Sequence, residues 1–142
     1  MILVDANILL YAYDSDAPQH ETASRWLTAA FEGADPVLLP WMTVLAFLRI
    51  STNARAWRRP LSISEAVSIV DEWLSFPNVV VPEPTEHHWP ILKRILPQSQ
   101  CRGPLVMDAH IAALAIEHGA NLCTNDRDFA RFTELRLLNP LE

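Results

Sequence analysis

Apolar and polar positions alternate along this chain in two periods, and the switch between them outlines the fold. Ile2-Leu3-Val4 is a short apolar run that ends in Asp5 and reads as a buried first strand. A short helix over 7–13 follows. Ala23, Trp26, Leu27, Ala30 and Phe31 then repeat at i, i+3, i+4, i+7 and i+8, the stripe of an amphipathic helix, with Pro18 suited to its first turn and Gly33 to its end. Val37-Leu38-Leu39 reads as a second strand, stopped by Pro40. Residues 41–52 are almost all apolar and predict a buried helix. Ser62 and Glu65 have capping-box spacing ahead of a stripe of Ala66, Ile69, Val70, Trp73 and Leu74. Val79-Val80-Val81 gives a third strand, and a helix is expected near 87–96. Pro104 precedes a long helix at about 106–118 that Gly119 ends in a left-handed residue. Asn121-Leu122-Cys123 is a fourth strand, followed by a short helix near 127–132 and a last strand within 135–138. Strands alternating with helices predict a three-layer α/β/α fold around a central parallel sheet of four to five strands.

Composition narrows the class. The 142 residues suit one domain, 1–142, and half of them are apolar, enough for a sizeable core. No run approaches the roughly 18 apolar residues that a membrane span needs. The start, Met1-Ile2-Leu3-Val4-Asp5, lacks the basic region of a signal peptide, so a cytoplasmic location with no membrane association is expected. Cys101 and Cys123 stand apart, with neither a disulfide framework nor zinc-ligand spacing. Three glycines leave no G-x-G-x-x-G or Walker A loop. A net charge of −6 argues against coating nucleic acid by bulk electrostatics, although local basic clusters occur at Arg55, Arg58 and Arg59, at Lys93 and Arg94, and at Arg102.

The acids carry the chemistry. In an open parallel sheet, ligands bind outside the carboxyl ends of the strands. Asp5 ends the first strand, Asp126 closely follows the fourth, and Asp108 opens the long helix. The rule brings all three to one rim. Crowded carboxylates raise each other's cost of ionising, and a hard divalent cation removes that cost. A cation held there can orient a water for attack on a phosphodiester and neutralise the charge that develops. Each acid also has a plain structural role open to it, as a turn former, a helix cap or a partner of a helix dipole.

Three segments resemble the motifs of PIN-domain ribonucleases of the VapC toxin type. Asp5-Ala6-Asn7 resembles the family's D-x-N start. The stretch Val106-Met107-Asp108-Ala109-His110-Ile111-Ala112-Ala113-Leu114-Ala115 resembles its D-A-x-x-A-A-x-A helix. Thr124-Asn125-Asp126-Arg127-Asp128-Phe129 resembles its T-x-D-x-D-F segment. The resemblance implies a PIN-like fold and an endoribonuclease dependent on Mg2+ or Mn2+, with Asp5, Asp108 and Asp126 as catalytic, metal-binding acids and Asp128 as an auxiliary ligand. Asn7 and Thr124 would support them by hydrogen bonding. The structural alternatives are a helix-start cap for Asn7 and a buried hydroxyl bonded to backbone for Thr124. His110, two positions past Asp108, points away on a helix and reads as structural. The resemblance also implies an RNA substrate, a homodimer, and a cognate antitoxin whose tail lies near the site.

One departure stands out. Ala46, in Leu45-Ala46-Phe47-Leu48-Arg49, occupies the place where many PIN nucleases carry a further glutamate. Fewer acids favour one bound ion over two. They also keep open the alternative of a catalytically weak PIN-like module that binds RNA or protein. Asp14 or Asp128 could compensate, and Arg49 could face phosphate, a site acid or solvent. A dehalogenase-type phosphohydrolase would need D-x-D after the first strand and finds Asp5-Ala6-Asn7 instead.

Overall fold

A computed structural model describes residues 1–142. Five parallel strands form one sheet: β1 (Ile2–Val4), β2 (Val37–Leu38), β3 (Val79–Val80), β4 (Asn121–Cys123) and β5 (Leu137–Leu138). Their order is β3-β2-β1-β4-β5. The chain works outward from the central β1 to β3 and then returns to β4 on the other side. The order therefore reverses between β1 and β4, which pair in register with Val4 opposite Cys123. This is the crevice where open α/β sheets bind ligands.

Six helices cover the sheet: α1 (Ala6–Tyr13), α2 (His20–Glu32), α3 (Trp41–Ser51), α4 (Ile63–Ser75), α5 (His88–Gln98) and α6 (Leu105–His118). Successive strand residues point to opposite faces, and the core divides accordingly. Leu3, Leu38 and Leu122 pack with Ile91 and Ile95 of α5 and with Ala109, Ala112 and Ala113 of α6. Val4, Val37 and Leu39 pack on the other face with α1 to α4, around Ile8, Leu27, Phe47 and Trp73. Two helices on one face and four on the other make the three layers.

Local signals place several boundaries. The Ser62 hydroxyl accepts from the Glu65 N–H while the Glu65 carboxylate accepts from the Ser62 N–H, so the expected capping box forms. Ser62→Ala is expected to cost about 1 kcal/mol, seen as a lower midpoint in urea with an unchanged slope. Gly119 stops α6 at φ 69°, in the left-handed region where glycine carries no steric penalty. Pro18 lies outside α2, because Gln19 is the cap and the chain is still turning at Pro18.

Helix α3 departs from its expected burial. Thr43, Val44, Phe47 and Ser51 face inward, but Trp41 is 50% and Leu45 59% exposed. The helix lies on one face of the sheet beside α1 and α4, so only one of its sides meets the core. An unbroken apolar run does not reveal which side that is. Two tryptophans, Trp57 and Trp73, are buried, while Trp41 and Trp89 are exposed. No helix is long and apolar enough to cross a membrane.

Candidate metal centre

The carboxyl ends of β1 and β4 build the centre. Asp5 directly follows β1, and its N–H donates to the Cys123 carbonyl, which extends the β1–β4 ladder by one residue. That bond sets Asp5 beside Thr124. The Thr124 hydroxyl is buried and joins three residues: it donates to Asp5 Oδ2 at 2.8 Å, accepts from the Asp126 N–H at 3.0 Å, and accepts from Asn7 Nδ2 at 3.5 Å. Thr124 therefore bonds backbone, as its structural reading has it, and a site acid as well.

Asp126 caps a 3-10 turn over Arg127–Arg131, its Oδ1 accepting from the Asp128 N–H at 2.9 Å. Asp108 sits in the first turn of α6. One carboxylate oxygen each from Asp108, Asp126 and Asp128 lie within 4.8 Å of one another. Asp5 stands next to this trio rather than in it. Its Oδ1 accepts from the Ala6 N–H, which caps α1, and its Oδ2 is taken by Thr124. Asp5 thus combines the capping role open to it with a place beside the other acids.

The charges oppose one another. Asp108 is pushed up to about 6, first by burial and then by Asp126, Asp5 and Asp128, with Arg131 acting in the opposite sense. A helix N-terminus favours an anion, so burial and three neighbouring acids outweigh the dipole here. Burial also raises Asp5, against the lowering by Thr124 and the Ala6 N–H.

The remaining candidates fall elsewhere. Asp14 accepts from the Asp16 N–H at the end of α1 and takes no part in the trio. Arg49 is exposed on α3. His110 faces α5, where its Nδ1 lies 3.0 Å from His88 Nε2, and His88 in turn meets the Glu117 carboxylate. His110 is thus a packing residue between α5 and α6. Both cysteines are free, with Cys123 buried. A cavity of about 150 Å³ between α1, α2 and α4 is lined by Tyr13, Phe31, Trp73 and Phe76 with Glu32 and Glu72, and Asp5, Asp108, Asp126 and Asp128 do not reach it. Sequence reasoning passed over Arg131. The signal for it was its place three residues after Asp128 on a helical turn.

The donor set suits a hard divalent cation. Three carboxylate oxygens converge, and hard ions of this kind take oxygen ligands, with solvent and phosphate completing the shell. Asn7, whose Nδ2 meets Thr124, keeps its Oδ1 buried without a hydrogen-bond partner, a polar atom free to accept from a water.

Comparison with known proteins gives the family and the fold of the chain. The PIN domain profile matches residues 2–135. The chain is 42% identical over 140 residues to ribonuclease VapC37 of Mycobacterium tuberculosis, covering 99% of this chain and 97% of the relative. It is 37% identical over 141 residues to ribonuclease VapC33 of the same species, covering 99% of each. Among solved structures, VapBC2 from Rickettsia felis bound to a promoter DNA fragment superposes with a TM-score of 0.68 at 20% identity, over 98% of both chains. VapC20 of Mycobacterium tuberculosis, a sarcin–ricin-loop-cleaving toxin, gives 0.67 at 21% identity, over 96% of this chain and 99% of that one. At these identities the structural likeness is one of fold.

Proposed function

This chain belongs to the PIN-domain family, and from that premise we propose that it is a metal-dependent endoribonuclease, the toxin of a VapBC-type toxin–antitoxin pair. The observation that carries the reading is the trio Asp108, Asp126 and Asp128 at the β1–β4 crevice, with Asp5 held beside it. All 142 residues act as one domain in this reading, working in the cytoplasm on RNA.

Asp108, Asp126 and Asp128 would hold one Mg2+ or Mn2+, and Asp5 would add negative charge at its edge. The bound ion supplies a water of lowered pKa and charge neutralisation at the phosphodiester. The residues do the positioning. Thr124 locks Asp5 by its hydroxyl and fixes the Asp126 backbone, so two acids from different strands keep a constant separation. The Asp126 cap holds the start of the turn that carries Asp128. The acids lie on a rim rather than in the cavity between α1, α2 and α4, which suits a polymer substrate entering from the side. Single-stranded RNA loops expose their backbone in this way. The trio assembles without α3, so Ala46 does not interrupt it, and this favours the enzyme over a binding module. The exposed Trp41 and Leu45 fit a protein interface, either with the antitoxin or between two copies of the chain.

Metal and proton compete for Asp108. In the ion-free protein its raised pKa contributes stability that is complete below about 3.8 and lost as pH rises through about 6. A cation restores the balance only where the carboxylate is ionised. The rise in melting temperature on adding Mn2+ is therefore expected to be large at pH 7.5 and small at pH 5. An equal rise at both values would show that the ion binds elsewhere. The activity itself is tested on a structured RNA, where cleavage confined to loops and abolished by chelator is the expected result. No cleavage by antitoxin-free protein would move the reading to the binding module.

A further inference from the structure

Arg131 is the last residue of the turn that begins after Asp126 and carries Asp128. Its Nε donates to the Asp128 carbonyl at 3.1 Å and its Nη1 to the Ser99 carbonyl at 3.5 Å. Two neutral acceptors thus orient the guanidinium without discharging it. The arginines at 25, 59 and 94 each pair with a carboxylate, whereas Arg131, like the other arginines, has none within 4.0 Å and is set apart by its place on the turn that carries Asp128. Its Nη2 makes no hydrogen bond within the protein. It is also the one cation among the groups that perturb Asp108.

The charge balance at the rim gives this cation a purpose. Four ionised carboxylates against one dication leave the centre net negative, and RNA approaches as a polyanion. A strand stays there only if fixed positive charge lies beside the acids. A guanidinium presents a planar fork matched to phosphate oxygens and holds it more firmly than an ammonium would.

We propose that Arg131 is a substrate-binding residue whose guanidinium, held at the rim by the carbonyls of Asp128 and Ser99, grips a phosphate of the RNA strand flanking the one that is cut. The assignment rests on the ribonuclease reading above. The contact is to backbone, so it strengthens binding for every sequence alike and carries no base preference.

The test uses a single-stranded RNA oligonucleotide with wild type, Arg131→Gln and Arg131→Lys. Cleavage gives KM and kcat. Binding is measured against salt with each protein carrying Asp108→Asn, so the RNA stays whole. Arg131→Gln is expected to raise KM about tenfold with a smaller change in kcat, since one charged hydrogen-bonded contact is lost. The slope of log affinity against log salt is expected to shrink by about 0.7, the value for one phosphate on a single strand. Arg131→Lys is expected to keep the slope and lose part of the affinity. A role limited to pinning Ser99 to the turn would lower the melting temperature and leave the salt slope unchanged, which overturns the proposal. If Arg131→Gln fails to fold, Arg131→Lys carries the test, and wild-type affinity in it overturns the proposal too. Wild type that cuts RNA while Arg131→Gln binds and cuts like it overturns this inference alone. Wild type that binds RNA without cutting it overturns the ribonuclease reading, and the salt slope still decides the role of Arg131. Wild type that neither binds nor cuts RNA overturns both.

Discussion

Asp108→Asn is expected to reduce RNA cleavage on the order of 1000-fold while leaving the ion-free fold as stable as wild type or more so. Loss of a residue that merely supports a metal ligand costs about 10- to 100-fold, and loss of a ligand should exceed that. The stability half of the expectation follows from the electrostatics. Asp108 is raised to about 6 by burial and by Asp126, Asp5 and Asp128, so at pH 7.5 its charge works against the fold. Asparagine keeps the shape and removes the charge. In chelator, the variant's melting temperature should match or exceed wild type at pH 7.5, and the advantage should fade toward pH 4, where wild-type Asp108 is protonated. Activity lost together with stability at every pH would mark Asp108 as a structural cap.

The second large effect is expected at a residue that does not touch the ion. Thr124→Val keeps volume but deletes the hydroxyl that donates to Asp5 Oδ2 and accepts from the Asp126 N–H and Asn7 Nδ2. Asp5, already raised by burial, loses a hydrogen bond that favours its charged form, so its pKa rises further. The Asp126 N–H loses its acceptor, a cost of about 1–3 kcal/mol when such a group is left buried and unpaired. Metal affinity and cleavage should fall about 10- to 100-fold, and the acid limb of the pH profile should move upward. Thr124→Ser should recover most of both. Full activity in Thr124→Val, measured by calorimetry with Mn2+ and by cleavage, would remove Thr124 from the site.

The parts of this account that sequence made legible are those fixed by local chemistry. The β1 run, the Ser62–Glu65 box and the left-handed Gly119 each depend on residues within one turn of one another. The rim was legible through a rule about parallel sheets, because Asp5 and Asp126 follow strands that become neighbours at the reversal of strand order. What escaped depends on contacts across the chain. The Thr124–Asp5 bond spans 119 residues, and it fixes Asp5 Oδ2 beside the trio in a way no motif announces. Arg131 is ordinary by composition and becomes distinctive only when the Ser99 carbonyl, 32 residues away, helps to orient its guanidinium on the turn that carries Asp128. The exposed side of α3 was hidden for the opposite reason, since apolar residues facing a core and apolar residues facing outward look alike in a run.

The central claim is that the carboxylate trio holds an ion without which RNA is not cut. The most direct measurement titrates Mn2+ into chelator-stripped protein, following binding by calorimetry and RNA cleavage on the same samples. Cleavage is expected to be absent at the start and to rise in step with occupancy of one ion per chain, with both signals missing in Asp108→Asn. Cleavage already complete before metal is added, or Mn2+ binding that survives Asp108→Asn unchanged, would contradict the claim.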